Sequence, residues 1–341
     1  MELLRKDGEP VGHAALEPDW EPALEWTRLS GLRTLGVWAP EAAAERALEP
    51  LWHSELGEPY MRGFRVNLES GGTAWHGDFT IAYFAGLAQM AAGRLREQGA
   101  LARGESFLYR ALAYAQPGAD AIGPHSAAFA VADQPAPLPI RDVSRRALEA
   151  RSAPAGDTHT DDFEVYVPAH VLEEASTLTA GAGDVETGGI LIGHLGRDPQ
   201  GPDIFVEITA LIQARHTVGA ATKLTFTSDT WTDVRGAVAL RRRGEHLLGF
   251  FHSHPQDTWC RERGCPIEQQ RQCSAADGFF SEDDLAMHRT MFPRAFTVAL
   301  VMTRSIRGIV PRLFGWREGA FVPRGYRVLA GADLAGRASS A

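Results

Sequence analysis

The chain has 341 residues, with 43 Asp and Glu against 34 Lys and Arg, for a formal net charge of −9. That length allows two domains and a sizeable core, and the acidic balance excludes generic nucleic-acid binding, which needs a basic field. Residues 1–8 lack the apolar centre of a signal peptide and no apolar stretch is long enough to span a bilayer, so a cytoplasmic protein without a membrane partner is expected.

In chain order, residues 62–68 read as a strand. Phe84, Leu87, Ala88, Ala91 and Leu95 then recur at helical spacing. Residues 105–116 predict a second helix, with Phe107, Leu108, Ala111, Leu112 and Ala115 on one face. Trp20, Trp26, Trp38, Trp52 and Trp75 supply core mass. A turn and a helix cap account for His76 and Asp78 without chemistry. Residues 1–133 therefore read as a separate α+β domain. It contains no cysteine, so it is not an active thioester carrier. Residues 134–160 predict a linker, because Pro135, Pro137 and Pro139 and later Ala153, Pro154, Ala155 and Gly156 give it an extended, poorly packing composition. Within it, residues 143–151 predict a short helix.

Beyond the linker, residues 163–167 predict a strand and Pro168 opens a helix with Val171, Leu172, Ala175 and Leu178 inward. Strands follow at 189–193, 204–214 and 223–227. Ser228 or Asp229 caps a helix that buries Trp231, Val234 and Val238. Residues 247–254 are an apolar strand that Pro255 ends, having no N–H for a ladder. A helix at 286–291 and strands at 297–303 and 312–316 complete the pattern. Strands interleaved with a few helices predict an α/β sandwich around a mixed sheet over residues 161–330, followed by a tail at 331–341.

Chemistry concentrates in this second half. His252 and His254 stand at i and i+2 on a strand, so both imidazoles aim at one face. Neutral imidazole is the commonest metal ligand. Alone, the pair reads equally as two histidines fraying into solvent. Upstream, Glu186 precedes an apolar strand, with Gly188 and Gly189 allowing close backbone approach. Downstream, Ser281 and Asp284 open a helical pattern. Two His, one Asp and a separate Glu are what a catalytic zinc site requires: three ligands, an open position for water, and a carboxylate to take its proton. Ser281 and Asp284 also read as a capping box; Asp284 cannot serve fully as both cap and metal ligand, and the metal is expected to win. A second SxxD stands at Ser274 and Asp277.

Taken in order, Glu186, His252-Ser253-His254-Pro255, Ser281 and Asp284 resemble the JAMM (MPN-plus, Mov34/JAB) zinc metalloproteases, over roughly residues 163–327. Phe250 and Phe251 before His252, and the strand near Val298, also fit. The chain departs from the family in residues 256–280, which stand where the family keeps a short turn. The helix and strand that follow Ser281 and Asp284, as in the family, favour that pair over Ser274 and Asp277. The resemblance implies that His252, His254 and Asp284 hold Zn2+, Glu186 acts as the base and Ser281 serves the oxyanion. It implies an isopeptidase or peptidase that cleaves after the C-terminal glycine of ubiquitin or a bacterial ubiquitin-like protein, in deconjugation or precursor processing. Some such bacterial systems are antiviral. Activating and conjugating enzymes would be further partners. The alternatives are a hydrolase releasing an amino acid from a sulfur-carrier protein, and a non-catalytic MPN scaffold. The first half, which holds no ligand cluster, is expected to recognise a partner.

All the cysteines, Cys260, Cys265 and Cys273, fall in the insertion at 256–280. Their odd number in a chain read as cytoplasmic argues against a disulfide framework. Thiolates suit a second, structural zinc with Asp277, His246 or His288 as fourth ligand. The other reading is a loop of reduced cysteines.

Overall fold

Phe64, Val66 and Leu68 are buried at alternate positions along β4 (Met61–Ser70), and that period of two makes it the middle strand of a three-stranded sheet. The computed structural model describes residues 1–37, 45–53, 60–113, 138–160, 162–201, 203–215, 217–220 and 223–330. The chain divides into two units, Met1–Pro137 with Glu318–Ala320, and Leu138–Arg317 with Phe321–Ala341. Its class is α/β.

In the first unit, β1 (Glu2–Leu4) lies between β2 (Pro10–His13) and β6 (Leu108–Arg110). A meander follows of β3 (Glu45–Trp52), β4 and β5 (Thr73–Thr80). Helix α1 (Glu21–Leu35) carries proline in its first turn and ends on Gly36 in the left-handed region, at φ 69°. Its Thr27 carbonyl accepts from Trp75 Nε1 at 2.9 Å, and the Trp75 ring occupies the space that a Cβ on Gly31 would need. Helix α2 (Ala85–Glu97) buries Ala88, Ala91 and Leu95, as their spacing predicts. Trp20, Trp26 and Trp75 pack partly buried against the Phe64–Phe79–Phe84 core. Trp52 is largely exposed, and Trp38 lies outside the described residues.

Two expectations fail here. Leu108–Arg110, expected in a helix, is strand β6 paired with β1, which leaves Leu108 exposed; residues 114–116 of that expected helix lie outside the described residues. His76 and Asp78 lie within strand β5, not in a turn and cap. The Asp78 carboxylate accepts from Arg65 on the neighbouring strand at 2.6 and 2.8 Å.

The second unit is built on one mixed sheet. Its strands are β7 (Ile140–Asp142), β8 (Ser152–Ala155), β9 (Val165–Pro168), β10 (Gly188–Arg197), β11 (Ile204–Gln213), β14 (His246–Pro255), β15 (Val298–Ser305), β16 (Gly308–Arg317), β17 (Ala320–Arg324) and β18 (Tyr326–Leu329). They run in the order β17-β16-β15-β14-β10-β11-β9-β18-β8, with β7 paired to β10. A separate hairpin joins β12 (Thr217–Ala220) and β13 (Lys223–Phe226). The predicted linker is therefore wrong from residue 138 onward. β7 runs parallel to β10, β8 runs antiparallel to β18, and α3 (Arg145–Glu149) lies between them in sequence.

Helix α4 (Ala169–Gly181) buries Val171 and Ala175 as expected, with Thr179. Helix α5 (Ser228–Arg241) is capped by Thr227, one residue before the expected cap, its side chain accepting from the Thr230 N–H. Trp231, Val234 and Val238 of that helix pack with Ile190, Ile192, Phe250 and Phe292. The insertion is helical: α6 (Gln256–Glu262) leaves β14 directly, and α7 (Ile267–Arg271) and a 3-10 turn at Ser274–Asp277 precede α8 (Glu282–Met291). No helix among the described residues is long and apolar enough to cross a membrane.

Candidate metal centre

β14 is flanked by β10 antiparallel and β15 parallel, so its last eight residues are buried, the histidines included. Gly249 shows how tightly these strands meet. Its φ is 148°, and a Cβ there would lie 1.7 Å from the Val298 carbonyl oxygen. His252 and His254 are 0% and 2% exposed. They do not fray into solvent. Their Nε2 atoms face each other at 2.9 Å, and Asp284 Oδ2, from the first turn of α8, stands 3.3 and 3.7 Å from them. Ligand atoms of the three residues lie within 4.8 Å of one another.

The capping box at the start of α8 is also present. Ser281 N–H and Oγ–H donate to Asp284 Oδ2 at 2.9 and 2.7 Å, and Ser281 Oγ accepts from Asp284 N–H at 3.1 Å. Cap and ligand set, which the sequence poses as competitors, thus coincide in one carboxylate. The cap locks the rotamer that points Oδ2 at the imidazoles. Burial works to raise the Asp284 pKa, but hydrogen bonds from His252 and His254 hold it well below the usual carboxylate range. Burial likewise pushes His254 down, opposed by its bond to Asp284. These shifts favour an anionic Asp284 and a neutral His254, the protonation states in which each can hold a metal.

The donor set fits zinc. At metal–nitrogen distances of about 2.0–2.1 Å, two imidazole nitrogens on a tetrahedral ion stand about 3.3 Å apart. The observed nitrogens need only a small opening to reach that. Among the described residues neither Nδ1 has a hydrogen-bond partner of the kind, carbonyl or carboxylate, that commonly orients a metal-bound histidine. Aromatic packing takes its place. Phe250 and Phe280 lie 5.3 and 5.9 Å from His252, and Trp259 and Phe279 lie 5.2 and 4.6 Å from His254.

Glu186, between α4 and β10, lines the same cavity of about 500 Å³ as His254, Ser281, Asp284 and Trp259. It is 6% exposed, and burial together with the Asp284 charge pushes its pKa up to about 8. The residue that follows it, Thr187, is tied to Ser253, to which the sequence assigns no role of its own. Ser253 N–H donates to the Thr187 carbonyl at 2.8 Å, and Thr187 N–H donates to Ser253 Oγ at 3.0 Å. One side chain thus ties the segment carrying Glu186 to the strand carrying both histidines. The signal was its odd position in an HxH strand, which turns its side chain to the opposite face. Trp259 and Phe279, both from the insertion, were likewise missed, because only the fold brings them to His254.

The other candidates separate. Ser274 and Asp277 form the 3-10 turn, with Asp277 bonded to Arg307 at 2.5 Å, outside the histidine cluster. Asp277, expected as a fourth zinc ligand, is thus engaged elsewhere. So are His246, 3.2 Å from the Pro139 carbonyl, and His288, buried with Nε2 3.1 Å from Thr297 Oγ1. Cys260, Cys265 and Cys273 are free thiols, Cys260 buried and the others half-buried.

No protein-family model and no curated protein matches the chain. Among solved structures, the solution structure of protein DSY2949 from Desulfitobacterium hafniense matches at 17% identity and a TM-score of 0.33, covering 49% of this chain and 92% of that one. A likeness at that score bears on neither fold nor function.

Proposed function

We propose that the second unit is a zinc-dependent hydrolase of amide bonds, an isopeptidase or peptidase acting after the C-terminal glycine of ubiquitin or a ubiquitin-like protein. The observation that carries the hydrolytic reading is the convergence of His252, His254 and Asp284 on one point, with buried Glu186 on the same cavity. Zinc held there supplies a water acidified towards neutrality and polarises the scissile carbonyl.

Glu186 accepts the water's proton and delivers it to the leaving amine. Its raised pKa suits the second half of that task, because a carboxyl that holds its proton near neutral pH can give it back. Ser281 turns its Oγ–H from Asp284 to the developing oxyanion. Trp259 and Phe279 keep bulk water from His254 on the insertion side.

The substrate class rests on the resemblance of the ordered motif to the JAMM metalloproteases. An extended glycine tail can be bound through its backbone by strand addition, which needs little side-chain matching. The first unit then serves recognition of the conjugate or of activating and conjugating enzymes. A scaffold without catalysis is the weaker reading, since the ligand set, base and serine are all present. The test is metal analysis and turnover on a ubiquitin-like fusion. Wild type should carry zinc and cleave after the glycine. Glu186→Gln should keep its zinc and lose at least roughly 10²-fold in rate. Near-normal turnover in that variant would remove Glu186 from the role of base.

A further inference from the structure

Helix α6, the first element of the insertion, is tied to the loop of Glu186 by one ionic cluster. That loop, residues 182–187, joins α4 to β10. Asp184 stands two residues before Glu186. Its Oδ1 accepts from Thr258 Oγ1 at 2.6 Å, from Arg261 Nη2 at 2.8 Å and from Arg304 Nη2 at 3.3 Å. Thr258 and Arg261 lie on α6, and Arg304 on β15. Arg304 is the hub of the cluster, since its Nη2 also donates to Thr258 Oγ1 and its Nε to Asp257 Oδ1, both at 3.0 Å. Its register partner on β14 is Pro255, so it stands where α6 leaves the histidine strand.

Hub and rim differ in exposure. The Arg304 and Asp257 side chains are 18% and 20% exposed and Thr258 is buried, whereas Asp184 and Arg261 are 66% and 56% exposed. Exposed ion pairs add little to stability, so fold stabilisation does not account for the rim. Position does. Glu186 is held from both sides, with Asp184 tied to α6 and β15 and Thr187 tied to Ser253 of β14. Trp259, next to Thr258 on α6, packs on His254 at 5.2 Å and lines the cavity that Glu186 also lines.

We propose, resting on the hydrolase reading above, that Arg304 and Asp184 are positioning residues, an ionic latch that holds the Glu186 loop and α6 in fixed places about the cavity. Arg304 suits the task because its planar fork donates in two directions at once, to Asp257 and to the Thr258–Asp184 pair; the point charge of a lysine would not. With the latch closed, the base and Trp259 keep their places beside His254. With it broken, the loop retains its tie through Thr187 and loses the one through Asp184, so Glu186 samples positions from which proton transfer is slow.

The test uses the full chain as wild type, Asp184→Ala, Arg304→Ala and the double variant. Asp184 is exposed, so its variant reads the latch even if Arg304→Ala does not fold. Amide hydrogen exchange comes first, on metal-free protein. Either substitution should speed exchange in both 182–187 and 256–262 while 247–255 stays protected, because the latch opens locally. In zinc-loaded protein, zinc content and KM for a ubiquitin-like fusion should stay unchanged. kcat should fall in both single variants, by about tenfold in Arg304→Ala. The double variant should be no slower than Arg304→Ala, since both residues act through one cluster. Unchanged exchange at 256–262 in Asp184→Ala, unchanged kcat in both single variants, or additive losses in the double variant would each overturn the proposal. A wild type that binds no zinc or cleaves no fusion would overturn the hydrolase reading instead, and the exchange measurement would still decide the latch.

Discussion

Ser253 and Glu186 show how much of the centre depends on single side chains that do not touch a metal. Replacing Ser253 by alanine removes the acceptor for the half-buried Thr187 N–H, at a cost of about 1 kcal/mol, the net worth of an ordinary hydrogen bond. The expected outcome is unchanged zinc content with turnover reduced by about tenfold, since a small misplacement of the base is costly. Full turnover in Ser253→Ala would show that Glu186 is held by other means. Glu186 makes a second prediction, on stability. Its pKa is about 8 in the folded chain against an ordinary 4.5, so the folded state binds its proton more tightly than the unfolded state does. This stabilisation is complete below pH 4.5 and is lost as pH rises through 8. Metal-free wild type should therefore lose melting temperature across that window, relative to Glu186→Gln. Zinc should narrow the gap, because a positive ion favours the carboxylate. Parallel pH profiles of the two proteins would sink the assignment.

At the scale of elements, the centre is a strand end meeting a helix start, and both halves were legible because their signals are local. An HxH on an apolar strand sets two imidazoles on one face, and SxxD is a capping pattern whose geometry aims the aspartate. The tie from Ser253 to Thr187 was not legible, for it spans 66 residues and depends on which strands pair. Short apolar runs were misread for a related reason. Around Leu108 the helical and strand periods fit equally well, and pairing with β1 decides between them. Gly249 tests the strand itself. Gly249→Ala forces a Cβ into the Val298 carbonyl at 1.7 Å and strains a backbone at φ 148°. The destabilisation should exceed about 4 kcal/mol, the range reserved for severe backbone or core insults. Denaturant unfolding with zinc analysis would check it, since β14 cannot separate from β15 without moving both histidines.

At the scale of the molecule, the sequence placed the candidate metal centre in the second half but drew that half's boundary too late. Proline- and alanine-rich composition marks a linker only when nothing nearby offers a strand to pair with. Here β18 does. β8 adds antiparallel to it at the sheet's edge, where Pro154 removes a donor that the ladder does not need. β7 similarly adds parallel to β10, whose neighbour β14 carries the histidines. A chain beginning at Leu138 should therefore fold, bind zinc at His252, His254 and Asp284, and cleave a generic ubiquitin-like fusion. One beginning at Asp157 lacks β7, α3 and β8 and leaves the β18 edge unpaired. It should unfold at lower denaturant and form aggregates through that edge. Equal midpoints for the two chains would return residues 138–156 to the status of a linker. Compared with the full chain, the Leu138 form should keep kcat on the generic fusion but raise KM for a cognate conjugate, because the residues it lacks include none of the proposed ligands and carry the recognition role proposed for them. Unchanged kcat/KM on that conjugate would leave the first unit without the role proposed for it.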